Sequence, residues 1–74
     1  MSNSWEFRNS VKQDALKRIV ADGNFLQSLV SRLDLQLSTG QEIDATETLS
    51  FIETTLSQMD ADCTSLENAL DLEE

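Results

Sequence analysis

The acidic C-terminal half of the chain repeats apolar residues at alternating steps of three and four. The repeat consists of Leu49, Ile52, Leu56, Met59, Cys63, Leu66 and Leu70. Residues spaced in this way lie along one stripe of an α-helix, and that stripe must be buried against another helix. The pattern therefore predicts a helix over about 45–70 that pairs with a second helix.

The N-terminal half carries an apolar repeat of the same period. Its members are Leu16, Ile19, Gly23, Leu26, Val30, Leu33 and Leu37. The phase runs unchanged through Gly23, and a glycine inside a helix costs only about 1 kcal/mol, which favours one long helix over about 5–38. The alternative is a break at 22–24, with Gly23 ending one helix and Asn24 capping the next, which gives a three-helix bundle.

A clear boundary separates the two repeats. Ser38, Thr39 and Gly40 are expected to end the first helix, and Asp44 with Glu47 has the spacing of a capping box that opens the second. Because the connection is short, the two helices should lie antiparallel as an all-α helical hairpin, in one domain that spans residues 1–74. We expect the two apolar repeats to face each other. In the heptad lettering used below, Leu16 and Leu49 are both at position a.

A chain of 74 residues with one cysteine and no histidine has neither an internal disulfide nor the usual zinc ligands to stabilise it. Domains of this size bury only about 60% of their unfolded surface, so their stability is marginal. Association with another molecule is the expected supplement, either as a homodimer or with a different protein.

Charge is distributed unevenly along the chain, whose net charge is −9. Residues 1–32 hold all five basic side chains and three acids, whereas residues 33–74 hold eleven acids and no base. A nucleic-acid backbone would be repelled by such a protein, so we expect no direct nucleic-acid binding. A protein with a basic surface is the expected partner.

Enzymatic chemistry has little support in the sequence. Histidine is absent, the two glycines are too far apart for a phosphate-binding loop, and Cys63 is interpreted as a small buried residue among acidic neighbours. We predict no catalytic, metal or cofactor site. The N-terminus lacks a signal-peptide pattern and no apolar run approaches the roughly 18 residues of a membrane span, so a soluble, cytoplasmic protein without membrane contact is expected.

Two groups of side chains are candidates for partner binding. The acids are Glu53, Asp60 and Glu67, which occupy successive e positions, together with Asp62; the aromatic residues are Phe51, Phe25 and Trp5. For the acids, the alternative interpretation is a solvated helix face. For Trp5 and Phe51, it is a small core closed by a third helix.

Two functions follow as hypotheses. The first is a small acidic, non-enzymatic inhibitor or regulatory factor, whose C-terminal helix engages a basic protein, for example a nucleic-acid-binding one, by presenting carboxylates in place of phosphates. The second is a homo-oligomeric helical bundle that serves as a structural or adaptor module. No motif in the chain identifies a known family.

Overall fold

The protein is an antiparallel helical hairpin. A computed structural model describes residues 3–71, with the side chains of 3–5 and 8 left outside that description. Helix α1 spans Asn3–Ser38 and helix α2 spans Glu42–Asp71. The hairpin measures 60 × 14 × 13 Å and has a radius of gyration of 17.0 Å. A compact domain of this length would have a radius of gyration of about 11 Å, so the molecule is a rod.

The turn between the helices is a Schellman motif centred on Gly40. Its φ angle is 75°, in the left-handed region that glycine adopts without strain. The amide of Gly40 donates to the carbonyl of Leu37 (3.3 Å), and the amide of Gln41 donates to the carbonyl of Gln36 (2.8 Å). These two bonds satisfy carbonyl groups that the end of α1 would otherwise leave unpaired.

Helix α2 begins earlier than the capping-box pattern predicts. The Ala45 amide donates to the carbonyl of Gln41 over 2.9 Å, so Asp44 already lies in the first turn. Glu42 and Asp44 place negative charge at this helix N-terminus, where the helix dipole favours it. The two acids therefore stabilise the start of α2 without an Asp44–Glu47 box as its first turn.

Gly23 lies inside α1, and the helix continues through it. The predicted continuous helix is confirmed, and the break at 22–24 with its three-helix bundle is absent from the described residues. A Cβ atom at Gly23 would come within 3.7 Å of Met59 Cε, which is ordinary van der Waals contact. Gly23 thus lies beside the opposite helix and is not forced to be glycine by crowding.

The seam between the helices is only partly the predicted one. In α2 the d positions Ile52, Met59 and Leu66 are buried or half-buried as expected, but the a positions Leu49, Leu56 and Leu70 are exposed. The second row of the seam is the g row, which consists of Ala15, Asp22, Leu29 and Gln36 in α1 and Thr48, Thr55, Asp62 and Ala69 in α2. The expectation that the two apolar repeats bury each other is therefore wrong for their a positions.

The side chains of the g row explain this choice of seam. Alanine and threonine are small and allow two helices to approach closely, and the polar members find partners across the interface. Thr48 Oγ1 donates to Gln36 Oε1 over 2.7 Å. Since both helices shift toward the g row, the larger leucines of the a row are left on the surface.

Candidate interaction surfaces

A polar cluster lies within the seam, about midway along α1. Arg18 Nε donates a hydrogen bond to Asp62 Oδ1, with 3.2 Å between the two atoms. Asp22, one helical turn after Arg18, faces the same carboxyl group. Asp62 is 5% exposed, and Asp22 Oδ2 is buried without a donor among the described residues. Two carboxyl groups and one guanidinium therefore share a site between the helices.

The pKa values of the two carboxyl groups are shifted in opposite directions. A hydrogen bond to Asp62, followed by burial and repulsion from the Asp62 charge, raises the pKa of Asp22. The same hydrogen bond and the Arg18 guanidinium lower the pKa of Asp62. The raised pKa of Asp22 favours its protonated form, in which it would donate to ionised Asp62 and give its buried oxygen a partner. This arrangement joins the two helices.

One flank of the seam is an apolar surface that we call the leucine face. It consists of the a positions of both helices, namely Leu16, Gly23, Val30 and Leu37 in α1 and Leu49, Leu56, Cys63 and Leu70 in α2. In an antiparallel pair, rows of the same letter flank the seam on the same side. The groove lined by both Leu37 and Leu49 agrees with this placement.

The leucine face is regular along the whole rod. The Gln36–Thr48 hydrogen bond and the Asp22–Asp62 pair set the register. This register places Leu37 beside Leu49, Val30 beside Leu56, Gly23 beside Cys63 and Leu16 beside Leu70. The large apolar side chains in these layers are 46–58% exposed, although none of them carries a polar group. The hairpin leaves this face without a covering element.

The predicted acidic row is exposed and borders the leucine face. Glu53, Asp60 and Glu67 occupy the e positions of α2, immediately outside the a row, and all three are open to solvent. Their spacing of one heptad corresponds to about 10.5 Å along a helix. Below, "acidic row" denotes these three residues.

The predicted aromatic residues lie on the other flank. Phe25 and Phe51 both occupy c positions, which border the opposite side of the seam, and they are 54% and 47% exposed. Arg18 and Arg32 share that row in α1. The structure therefore separates the two phenylalanines from the acidic row, and the predicted partner-binding residues do not form one surface.

The two remaining predicted partner-binding residues, Asp62 and Trp5, do not belong to the acidic row. Asp62 is buried in the seam and bonded to Arg18, so its carboxylate does not point to solvent with the other acids. The side chain of Trp5 lies outside the described residues. The leucines of the a row are surface residues that the sequence did not predict. Their period is that of a helix–helix seam, so the pattern assigns them to the seam.

No three histidine, cysteine, aspartate or glutamate side chains among the described residues are grouped to hold a metal ion. Neither helix, over the part of the chain that the structure describes, combines the length and the apolar character of a membrane span. Cys63 is half-buried on the leucine face.

Comparisons of the chain with protein-family models, with curated proteins and with solved structures gave no match.

Proposed function

We propose that this chain is a non-enzymatic protein-binding module whose acidic row engages a protein with a basic surface. The observation that carries the proposal is the exposure of Glu53, Asp60 and Glu67 in a single file on one rigid helix. No lysine or arginine follows Arg32 in the sequence, so α2 has no cation of its own to neutralise that file. Ordinary surface helices intersperse both signs of charge.

The geometry of the acidic row suits a partner that binds phosphates. Three carboxylates at regular spacing on a helix present a line of negative charge, as a nucleic-acid strand does. A basic groove that normally holds nucleic acid is thus the kind of surface that the row fits. The chain would act there as an inhibitor or regulatory factor in the cytoplasm, by occupying the groove.

Electrostatic association of this kind has a defined salt dependence. Charge complementarity raises association rates and is screened as ionic strength increases, with a screening length of about 8 Å at physiological salt. Binding to a basic partner should therefore weaken steeply when salt is added.

A comparison of two charge-reversal variants tests the proposal. The row variant carries Glu53→Lys, Asp60→Lys and Glu67→Lys. The control variant carries Glu6→Lys, Asp14→Lys and Glu47→Lys, which changes the net charge equally at exposed positions away from the row. Both variants and the wild-type chain are immobilised and exposed to extract of the source cells, and the retained proteins are identified at low and high salt.

The expected partner is retained by the wild-type chain and the control variant at low salt, and is lost with the row variant and at high salt. Circular dichroism must show that the row variant keeps its helices. If both variants retain the same basic proteins equally, net charge alone determines retention and the acidic row is not the binding site.

A further inference from the structure

We infer that the leucine face binds a second copy of this chain, so that two hairpins form a four-helix bundle. The face runs the length of the hairpin, and its large side chains are about half-exposed in a single chain. Contiguous apolar surfaces of this extent on small proteins mark association sites. This inference is independent of the proposed binding of a basic protein.

The surface area of a single hairpin agrees with a missing partner. Its accessible surface is 5518 Å². A folded monomer of 8.3 kDa is expected to expose about 4,600 Å². The excess of about 900 Å² is close to the roughly 800 Å² that each partner buries in a stable protein interface. A side of the rod 60 Å long and 14 Å wide supplies an area of that order.

The interior of a single hairpin is also thin. Its buried apolar residues are Ala15, Leu29, Ala45, Ile52 and Ala69, three of which are alanine. Each large aliphatic side chain gains about 1.5–3 kcal/mol on full burial, and the half-exposed leucines of the a row have realised only part of that gain. A second layer of helices over the leucine face would realise it.

The charges at the two edges of the leucine face determine how the copies pair. On α2 the edge is the acidic row, whereas the corresponding e positions of α1 are acidic only toward the two ends, at Glu6 and Asp34, and are uncharged between them at Gln13, Val20 and Gln27. Placing α2 against α2 of the second copy would bring two acidic rows together. Placing α1 against α2 of the second copy sets each acidic row beside an edge whose central part is uncharged, and this is the arrangement that we propose.

Gly23 leaves room for the second copy. An open groove of about 750 Å³ runs along α1 past Gly23, Leu26, Gln27 and Val30. It begins at Gly23, the smallest residue of the leucine face. Large side chains of the second copy would fill this groove, as knobs fill holes in helical bundles.

The same charges distinguish self-association from binding to a basic partner. Two chains of net charge −9 repel each other at long range, and added salt screens that repulsion. Moderate salt should therefore strengthen the dimer, whereas it should weaken binding of a basic protein to the acidic row. Either result stands or fails without the other.

Sedimentation equilibrium of the full chain at moderate salt tests the dimer. We expect a mass of twice 8.3 kDa at concentrations from micromolar upward. A variant with Val30→Gln and Leu56→Gln should dissociate at least about tenfold more readily, since polar groups would enter the interface. The matched control, Phe25→Gln with Phe51→Gln, removes equally exposed apolar side chains from the other flank and should remain dimeric.

The single cysteine gives a second test that leaves the leucine face unaltered. Cys63 lies in that face, so dimerisation should slow its reaction with a thiol reagent as the concentration of the wild-type chain rises. In the control Cys63→Ser with Ser57→Cys, the thiol lies at an exposed b position and should react at a rate independent of concentration. A wild-type monomer at every concentration, an assembly of another size, or an unprotected Cys63 in the dimer would overturn the inference.

Discussion

Arg18 and Asp62 form a hydrogen-bonded ion pair across the two helices, with 3.2 Å between Nε and Oδ1. Asp22 approaches the same Asp62 carboxyl group from the helix that carries Arg18. Asp62 therefore faces both Arg18 and Asp22 of α1, and this polar layer lies in the same seam as the Gln36–Thr48 hydrogen bond, among small and aliphatic side chains. Buried polar groups that are fully paired help to define one register between helices, and unpaired ones destabilise it.

The first prediction concerns Asp22→Asn. The pKa of Asp22 is raised by its hydrogen bond to Asp62, so its contribution to stability is complete below the ordinary aspartate pKa and is lost as pH rises through the raised value. Asparagine stays neutral and still donates to Asp62. We expect the variant to melt a few degrees higher than the wild-type chain at pH 7 and at nearly the same temperature near pH 4, by circular dichroism.

At low pH, the dependence of stability on pH is determined by Asp62. Its pKa is lowered, so its contribution is present above the ordinary aspartate pKa and disappears as pH falls through the lowered value. Asp14→Asn is the control, because Asp14 is exposed and its replacement changes the net charge equally. Equal stabilisation of both variants at pH 7 would show that overall charge, and not the carboxyl pair, sets the effect.

The turn and the helices were accessible from the sequence because local signals specify them. Gly40 is followed by a short polar segment, and its left-handed conformation ends α1 at the predicted Ser38. The unbroken phase of the apolar repeat across Gly23 correctly predicted a continuous α1. Only the start of α2 differs, since Glu42 and Asp44 both suit a first turn and local sequence does not choose between them.

The second row of the seam, the g row, could not be predicted from local sequence signals. The d row is flanked by the a row on one side and the g row on the other, and apolarity favours the leucines of the a row. The structure buries Ala15, Thr48, Thr55 and Ala69 instead, because small residues and cross-helix hydrogen bonds permit close packing there. The burial of Asp62 in the seam could not be predicted for the same reason. Asp62 belongs to the g row, and its burial depends on Arg18 and Asp22 of the other helix.

The second prediction uses the two glycines as a matched pair. Gly23→Ala should raise the free energy of unfolding by up to about 1 kcal/mol, because the new Cβ meets Met59 Cε at an ordinary 3.7 Å and alanine favours helix. Gly40→Ala should lower it by about 1–2 kcal/mol, because φ is +75° there. Urea unfolding measures both. Stabilisation at Gly40 would contradict the Schellman turn.

The third prediction separates the seam from the leucine face. Ile52 is 9% exposed within the seam, and Ile52→Ala should cost about 2–5 kcal/mol. Leu56 is 49% exposed, so Leu56→Ala should cost less than half as much in urea unfolding of the dilute chain, where a single hairpin is measured. Equal losses at low concentration would mean that the a row is buried within one hairpin after all.

The fourth prediction compares two buried threonines of the g row. Thr55 Oγ1 donates to the backbone carbonyl of Phe51 in its own helix. That carbonyl also lies within reach of a helical backbone amide. Thr55→Val therefore leaves no lone acceptor, exchanges a hydroxyl for a methyl group in the seam, and should stabilise the hairpin by about 1 kcal/mol.

Thr48 differs from Thr55 in its partner, because its hydroxyl is the donor to Gln36 Oε1 on the opposite helix. Thr48→Val would leave that half-buried oxygen without this donor, at a cost of about 1–3 kcal/mol. The same chemical change should thus have opposite effects at two positions of one row, measured by urea unfolding of the two variants side by side. Stabilisation by both would mean that the Thr48–Gln36 bond contributes nothing to the pairing of the helices, and that the g row is buried for its size alone.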